Sequence, residues 1–376
     1  MMIQFVTFGM FIIDEFDFAD EQGKPTGQTI GGGGTYATIG ARIWLPPDTL
    51  GMIIDRGNDF PQEIEQKLLT YGPDVWHFRD HPDRCTTRSR NSYRGEYRGF
   101  EYITPRIRLT PHDLAGTRLS RPASVHFICS PKRALQILSE IQEIEGWNPT
   151  TIFEPIPVRA GFCLRAVHRI LNVEQDRCVP EELPSLKEAL PNITILSPNA
   201  EEALSLLSLP LIVTKPAVEN AASEFIKMGV GEGGSVIIRS GALGAYIITS
   251  DRKGQWIDAF WSSENIDRVV DVTGAGNTFL GGLAAGLLLE NGNVHKGLTV
   301  SYMIEAHKAN TWVLNHSRVL ATLYASVSAS FTVEQLGLPH LTLNSGREEE
   351  WNYDSPRRRL EVLRQRHDKE IENKNH

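Results

Sequence analysis

Short β-branched runs alternate with amphipathic stretches along most of this chain, and that alternation is its strongest constraint on fold. Residues 3–13 read as a buried strand, and "TYATIGARIWLP" (35–46) carries apolar residues at helical spacing before a Pro-Pro pair. "LGMIID" (50–55) is a strand, and "FPQEIEQKLLTYG" (60–72) is an amphipathic helix ending at Gly72. "SVHFICS" (124–130) leads into "PKRALQILSEIQEI" (131–144), a helix opened by Pro131. "TTIFEPI" (150–156) is a strand, "ITILSPNAEEALSLL" (193–207) runs from strand into helix, and "GSVIIRSGALGAYIIT" (234–249) reads as a hairpin. Two further helices are expected around 294–316 and 318–330. This rhythm predicts an α/β fold whose strands are mostly parallel.

Two segments break the rhythm. Within 76–110, "TTRSRNSYRGEYRGFEYI" alternates polar with apolar or aromatic residues, which predicts one or two short antiparallel strands outside the main sheet. From 346 the chain turns densely charged and balanced in sign, so 346–376 is expected to bury little and to behave as a mobile tail. The 376 residues suffice for one large α/β domain or two ordinary ones.

Charge and composition narrow the function classes. The formal net charge of −8 and pI near 5.8 argue against nucleic acid as the main ligand. "MMIQFVTFGMFIIDEFD" lacks a basic leader and is interrupted by Asp14, so it reads as a core strand rather than a signal peptide. The run "FLGGLAAGLLL" (279–289) is too short to span a bilayer. Cys85, Cys129, Cys163 and Cys178 show neither paired nor metal-type spacing, which suits a reduced protein, and a soluble cytoplasmic one is expected. No histidine grouping suggests a caged transition metal.

The richest stretch is "VVDVTGAGNTFLGG" (269–282). A β-branched run passes through Asp271 and Thr273 into a Gly-Ala-Gly turn at a helix start. Gly274, Ala275 and Gly276 would point several backbone N–H groups at one spot, reinforced by the helix dipole, and so form a phosphate nest. Gly281, Gly282 and Gly286 also suit a close helix–strand crossing, and both readings stand. In "LSPNAEEAL" (196–204), Asn199 and Glu202 either cap a helix or place a carboxylate near nucleotide phosphates, holding Mg²⁺ through water. In "IRSGALGAYI" (238–247), Ser240, Gly241 and Gly244 make either a permissive hairpin turn or a loop approaching a nucleotide.

Near the N-terminus, Asp14 leaves the first strand at its carboxyl end, where open α/β sheets bind ligands. Gly31, Gly32 and Gly33 would let backbone approach a polyhydroxylated ligand. The run Gly32–Ala37 also fits G-x-G-x-x-A, with Asp55 following a later strand, so a dinucleotide-binding oxidoreductase is an alternative. Against it, "DEQGKPTGQTI" precedes the glycines where a long apolar strand should stand. Arg84, Arg88, Arg90, Arg94 and Arg98, interleaved with Tyr93 and Tyr97, read as an anion-binding face or as a solvated strand face or subunit contact.

Together and in this order, these motifs resemble the PfkB (ribokinase-like) family of carbohydrate kinases over about 1–340. The resemblance implies one kinase domain over 1–345, with a Rossmann-like three-layer α/β/α core and a small β lid built from about 14–30 and 76–110. It implies ATP and Mg²⁺ as cosubstrates and a sugar or nucleoside hydroxyl as phosphate acceptor. A homodimer through the lid follows from the same likeness. Two residues depart from the pattern. Tyr36 stands where the family usually has an acceptor-binding asparagine, and Asn277 where it has the aspartate general base. An amide cannot take the acceptor proton near neutral pH, so a weak kinase and a ligand- or protein-binding pseudokinase are both expected outcomes. The GAGN loop and "GGGGTYATIGAR" further resemble a divergent fungal branch linked to killer-virus maintenance.

Overall fold

The computed structural model describes residues 2–18, 27–94, 97–156, 178–231, 233–249, 254–297, 306–343 and 348–375. The chain opens with β1 (Phe5–Thr7), β2 (Ile12–Phe18), β3 (Gln28–Gly31), α1 (Gly33–Arg42) and β4 (Leu50–Gly57). Next come α2 (Gln62–Leu69), β5 (Trp76–His81), β6 (Arg88–Arg94) and β7 (Tyr97–Tyr102). β8 (Ser124–Cys129), α3 (Pro131–Glu143) and β9 (Thr150–Pro155) follow, then α4 (Leu183–Ala189), β10 (Ile195–Leu196), α5 (Ala200–Leu206) and α6 (Lys215–Lys227). The remainder is β11 (Ser235–Arg239), β12 (Ala245–Thr249), β13 (Gly254–Ile257), α7 (Ala275–Gly297), α8 (Ala306–Thr332), β14 (Leu341–Thr342), β15 (Glu350–Trp351) and α9 (Pro356–Asn375).

The central sheet has nine strands in the order β13-β12-β11-β10-β9-β8-β1-β4-β5. It is parallel from β11 to β5, and β12 and β13 add an antiparallel edge. After β1 the chain builds outward through β4 and β5, then returns to build the other half from β8. The crevice beside β1 and β8 is therefore a topological switch point, where such sheets bind ligands at their carboxyl ends. One apolar cluster lies between the sheet and α1, α7 and α8, and a second lies between the sheet and α3, α4, α5 and α6. Helices α1 and α7 cross closely because a side chain at Gly40 would strike the Thr278 backbone and one at Gly281 the Ala37 carbonyl. The small residues on α7 thus do serve close packing, but against helices α1 and α8 and not against a strand as expected.

A separate four-stranded sheet, β3-β2-β6-β7, stands outside the core, as the polar–aromatic alternation predicted. Three expectations about strand and helix boundaries need correction. The run 3–13 is not one strand: β1 ends at Thr7, and β2 belongs to the small sheet, paired with β3 and β6. The break falls at Gly9, where a side chain would collide with the Gly34 backbone. The insertion also starts later than 76, because β5 pairs in parallel with β4, placing buried Trp76 opposite Met52. Residues 306–332 form one helix, so the break expected near 317 is absent. Of the proposed lid, 19–26, 95 and 96 lie outside the described residues, as do 298–305 of the expected helix 294–316.

The charged C-terminal segment is the largest correction. Trp351 is fully buried and stacks on Tyr71 with ring centroids 5.9 Å apart, and Leu363 of α9 is buried as well. Arg359, also buried, lies 3.8 Å above the Phe331 ring and pairs with Asp354 and Glu334 at 2.8 Å each. Long charged side chains bury their stems and pair their heads, so dense charge did not mean an unpacked segment.

Candidate active site

The glycine turn of 269–282 forms the start of α7. Asp271 Oδ1 accepts from the Thr273 backbone N–H (3.0 Å) and hydroxyl (2.9 Å), shaping the approach. Gly274 has φ 77°, and a side chain there would run into the Tyr36 ring. One at Gly276 would meet the Arg239 guanidinium. Backbone, ring and guanidinium thus meet at the first turn of α7, where partial positive charge gathers.

Asn277 does not stand alone there. Its Nδ2 donates to Glu154 Oε2 at 2.6 Å, and Glu154 lies at the carboxyl end of β9. Glu154 is buried; His126 Nε2 lies 3.2 Å from the same oxygen, and Arg239 Nη2 lies 2.9 Å from the other. The carboxylate accepts, so His126 donates from Nε2, and its Nδ1 lies within hydrogen-bond distance of the Thr7 hydroxyl, 2.9 Å away. Thr7 Oγ1 in turn accepts from the Gly9 N–H at 2.9 Å. Burial alone would raise the Glu154 carboxyl; Arg239, His126 and the Asn277 amide outweigh it and hold it below the ordinary range.

Asn199 and Glu202 form a complete capping box on α5. Asn199 Oδ1 accepts from the Glu202 N–H (2.8 Å), while the Asn199 N–H (2.7 Å) and side-chain amide (2.6 Å) donate to the two Glu202 oxygens. Glu202 is 2% exposed, and Arg239 Nη2 is 3.6 Å from it. Burial, reinforced by the Glu154 charge and opposed by Arg239, pushes its carboxyl up to about 8. The capping account therefore holds, and Glu202 is a poor fit for Mg²⁺: its carboxyl is raised to about 8, each oxygen already accepts from Asn199, and a cation stands beside it. The turn at Gly274–Gly276 does fit an anion, because the buried Arg239 Nε beside it has no hydrogen-bond partner.

A pH dependence follows. In the folded chain Glu202 keeps its proton from its ordinary 4.5 up to about 8, whereas the unfolded chain releases it. Stability from this group is whole below 4.5 and is lost as pH rises to 8, at up to about 1.4 kcal/mol per unit. Denaturant melts of Glu202→Gln should lack that decline.

On the side facing the small sheet, Ser89 of β6 donates from Oγ to Asp14 of β2, and a side chain at Gly31 would strike the same carboxylate. A Cβ on Gly33 would lie 3.0 Å from Asn277 Nδ2, so the two glycine motifs face each other. Gly32 (φ 91°) turns the chain into α1. Tyr36 is 4% exposed, and burial, then Asp14 and Asp271, pushes its phenol well above the ordinary range. Ser240 donates its N–H to the Gly244 carbonyl at 2.7 Å, closing the β11–β12 turn. A side chain at Gly244 would hit the Ile257 carbonyl, whereas Gly241 faces open space.

The dinucleotide pattern is misplaced: Gly32–Ala37 follows β3 of the small sheet rather than a core strand, and Asp55 is held by Arg79 and His81, each at 2.7 Å. Arg88, expected on an anion-binding face, a solvated strand face or a subunit contact, is instead buried and pairs within the chain with Asp59 at 2.8 Å and Glu15 at 3.3 Å. Glu154, His126 and Arg239 escaped the sequence reading. The available signal was an acid at the end of the "TTIFE" run and a base just before Ser240–Gly241.

Nine strands with a switch-point crevice, an outlying small sheet and a glycine turn at α7 define a ribokinase-like α/β protein. Residues 154–338 match the profile described as pfkB family carbohydrate kinase, and the chain belongs to that family. An uncharacterized protein of Schizosaccharomyces pombe is 31% identical over 379 residues, covering 95% of this chain and 92% of its own length. Protein MAK32 of Saccharomyces cerevisiae is 29% identical, covering 89% and 85%, which is consistent with the fungal branch. Ribokinase from Giardia lamblia superimposes with a TM-score of 0.63 at 16% identity, covering 90% of this chain and 96% of its own. Arabidopsis thaliana ribokinase, solved with ribose and ATP, gives 0.56 at 17% identity, covering 90% and 94%. Among the described residues no helix is long and apolar enough to cross a membrane.

Proposed function

We propose that this chain binds ATP and a polyhydroxylated acceptor of sugar or nucleoside type, and moves the γ-phosphoryl group to a hydroxyl slowly, by positioning rather than proton abstraction. The carrying observation is the 2.6 Å bond from Asn277 to Glu154 beside the glycine turn. It fixes an amide where a general base would act. The amide oxygen can receive a hydrogen bond from the acceptor hydroxyl but cannot take its proton. The N–H groups of Gly274, Ala275 and Gly276, with Arg239 beside them, would stabilise phosphoryl charge, and Asp14 with the 31–33 glycines would hold the acceptor. Phosphoryl transfer leans mainly on such positioning and charge stabilisation. A missing base typically lowers rate about 10²–10⁴-fold.

A second reading, ligand binding without turnover, is favoured by one observation. The nearest carboxylate, Glu154, already takes donors from Arg239, His126 and Asn277 and makes a poor substitute base.

Transfer from γ-labelled ATP to a panel of sugars and nucleosides separates the two. The first reading expects slow labelling that Asp14→Asn abolishes. ATP binding with no labelled acceptor leaves the second, and binding of NAD in place of ATP overturns both.

A further inference from the structure

We infer that Arg239 supplies toward a nucleotide phosphate the positive charge that a divalent cation would otherwise supply, so that nucleotide binding by this chain is independent of magnesium. The inference rests on the nucleotide-binding half of the reading above.

Three observations carry it. First, the Arg239 side chain is 10% exposed, and its Nε–H has no acceptor. A buried donor left unpaired is costly, and a phosphate oxygen would satisfy it. Second, the guanidinium lies against Gly276, in the first turn of α7, where only a glycine leaves room for it. A planar cation and the backbone N–H groups of the turn thus border the same space, and an arginine fork matches phosphate oxygens while keeping its charge. Third, the carboxylates that would serve a cation are committed. Glu202 accepts twice from Asn199, and Glu154 receives Asn277, His126 and Arg239 itself. A divalent ion bound directly to either carboxylate would compete with the Arg239 charge and the Asn199 donors.

Arg239 is not already neutralised beyond use. Its Nη2 serves Glu154 at 2.9 Å and the Ser197 carbonyl at 3.1 Å, whereas Nη1, at the far end of the fork from Nε, is the nitrogen nearest Gly276. A phosphate can therefore be engaged without breaking the Glu154 pair.

The test is calorimetric titration of the full chain with ATP in excess EDTA and in excess magnesium chloride. The two dissociation constants are expected to agree within about threefold. Arg239→Met combined with Glu154→Gln, so that the Glu154 carboxylate does not lose its partner, is expected to weaken ATP binding on the order of 10- to 100-fold in both buffers. A thermal melt of that variant reports whether it folds; if it does not, the wild-type comparison decides alone. Binding that requires magnesium, or that survives in a folded double variant, overturns the role of Arg239 while leaving the nucleotide-binding reading standing. Absence of ATP binding in either buffer overturns that reading and this inference with it.

Discussion

Asn277→Asp is expected to lower stability and to give no gain in phosphoryl transfer, although it rebuilds the family's usual residue. The new carboxylate would face Glu154 Oε2 across what is now a 2.6 Å hydrogen bond. Two carboxylates so close cannot both ionise. Even relaxed to about 4 Å they would repel by about 4 kcal/mol at an effective dielectric of about 20. One acid therefore keeps its proton at neutral pH, and the intended base is lost. The sign follows: the variant's deficit vanishes at low pH, where the extra acid is protonated in folded and unfolded chains alike, and grows as pH rises. Denaturant melts at acidic and neutral pH check this. Adding Glu154→Gln should reverse both effects, because the new amide at position 154 would donate to the carboxylate at 277. If positioning is otherwise intact, transfer by the double variant should rise about 10²–10⁴-fold over wild type. A single Asn277→Asp variant that is as stable as wild type and faster would sink this account of the site.

Trp351→Ala is expected to destabilise the whole domain by roughly 3–5 kcal/mol, the usual cost of removing a large buried aromatic ring. Trp351 is fully buried against Tyr71, whose hydroxyl donates to the Pro339 carbonyl at 2.9 Å. The same segment ties back to the first helix: Arg42 of α1 bonds both oxygens of Glu349 at 2.6 Å. Removing the ring therefore opens a cavity against Tyr71, in the apolar cluster that also contains α1 and the first turns of α7. Chemical denaturation read by circular dichroism measures the loss. A change within about 0.5 kcal/mol, the range of ordinary surface substitutions, would show that 348–375 is the loosely held tail its composition suggested.

That segment shows where composition misleads. Charge density at 346–376 was visible, but the register that buries Trp351, Arg359 and Leu363 was not, because nothing local says which arginine stem will meet Phe331. The small sheet was easier. Polar–aromatic alternation over 88–102 is a two-residue period, and strands β6 and β7 follow it. Trp76–His81 was misassigned to that sheet because a strand's partner is chosen by the chain that covers it, here β4, and not by its own pattern.

The sequence by itself determined the layered α/β core, the outlying small sheet, the capping box at Asn199–Glu202 and the glycine turn at the head of α7. Each is written in local spacing: apolar period, N-cap chemistry, glycines where side chains cannot fit. Only the tertiary structure decided what surrounds Asn277. Glu154, His126 and Arg239 come from the ends or interiors of β9, β8 and β11, and they meet because a parallel sheet aligns the carboxyl ends of strands far apart in the chain. Once they meet, the low dielectric of a buried site makes their charges interdependent. The acid at 154 then decides what residue 277 can be, and Arg239 stands beside the Glu202 carboxyl that was expected to hold Mg²⁺.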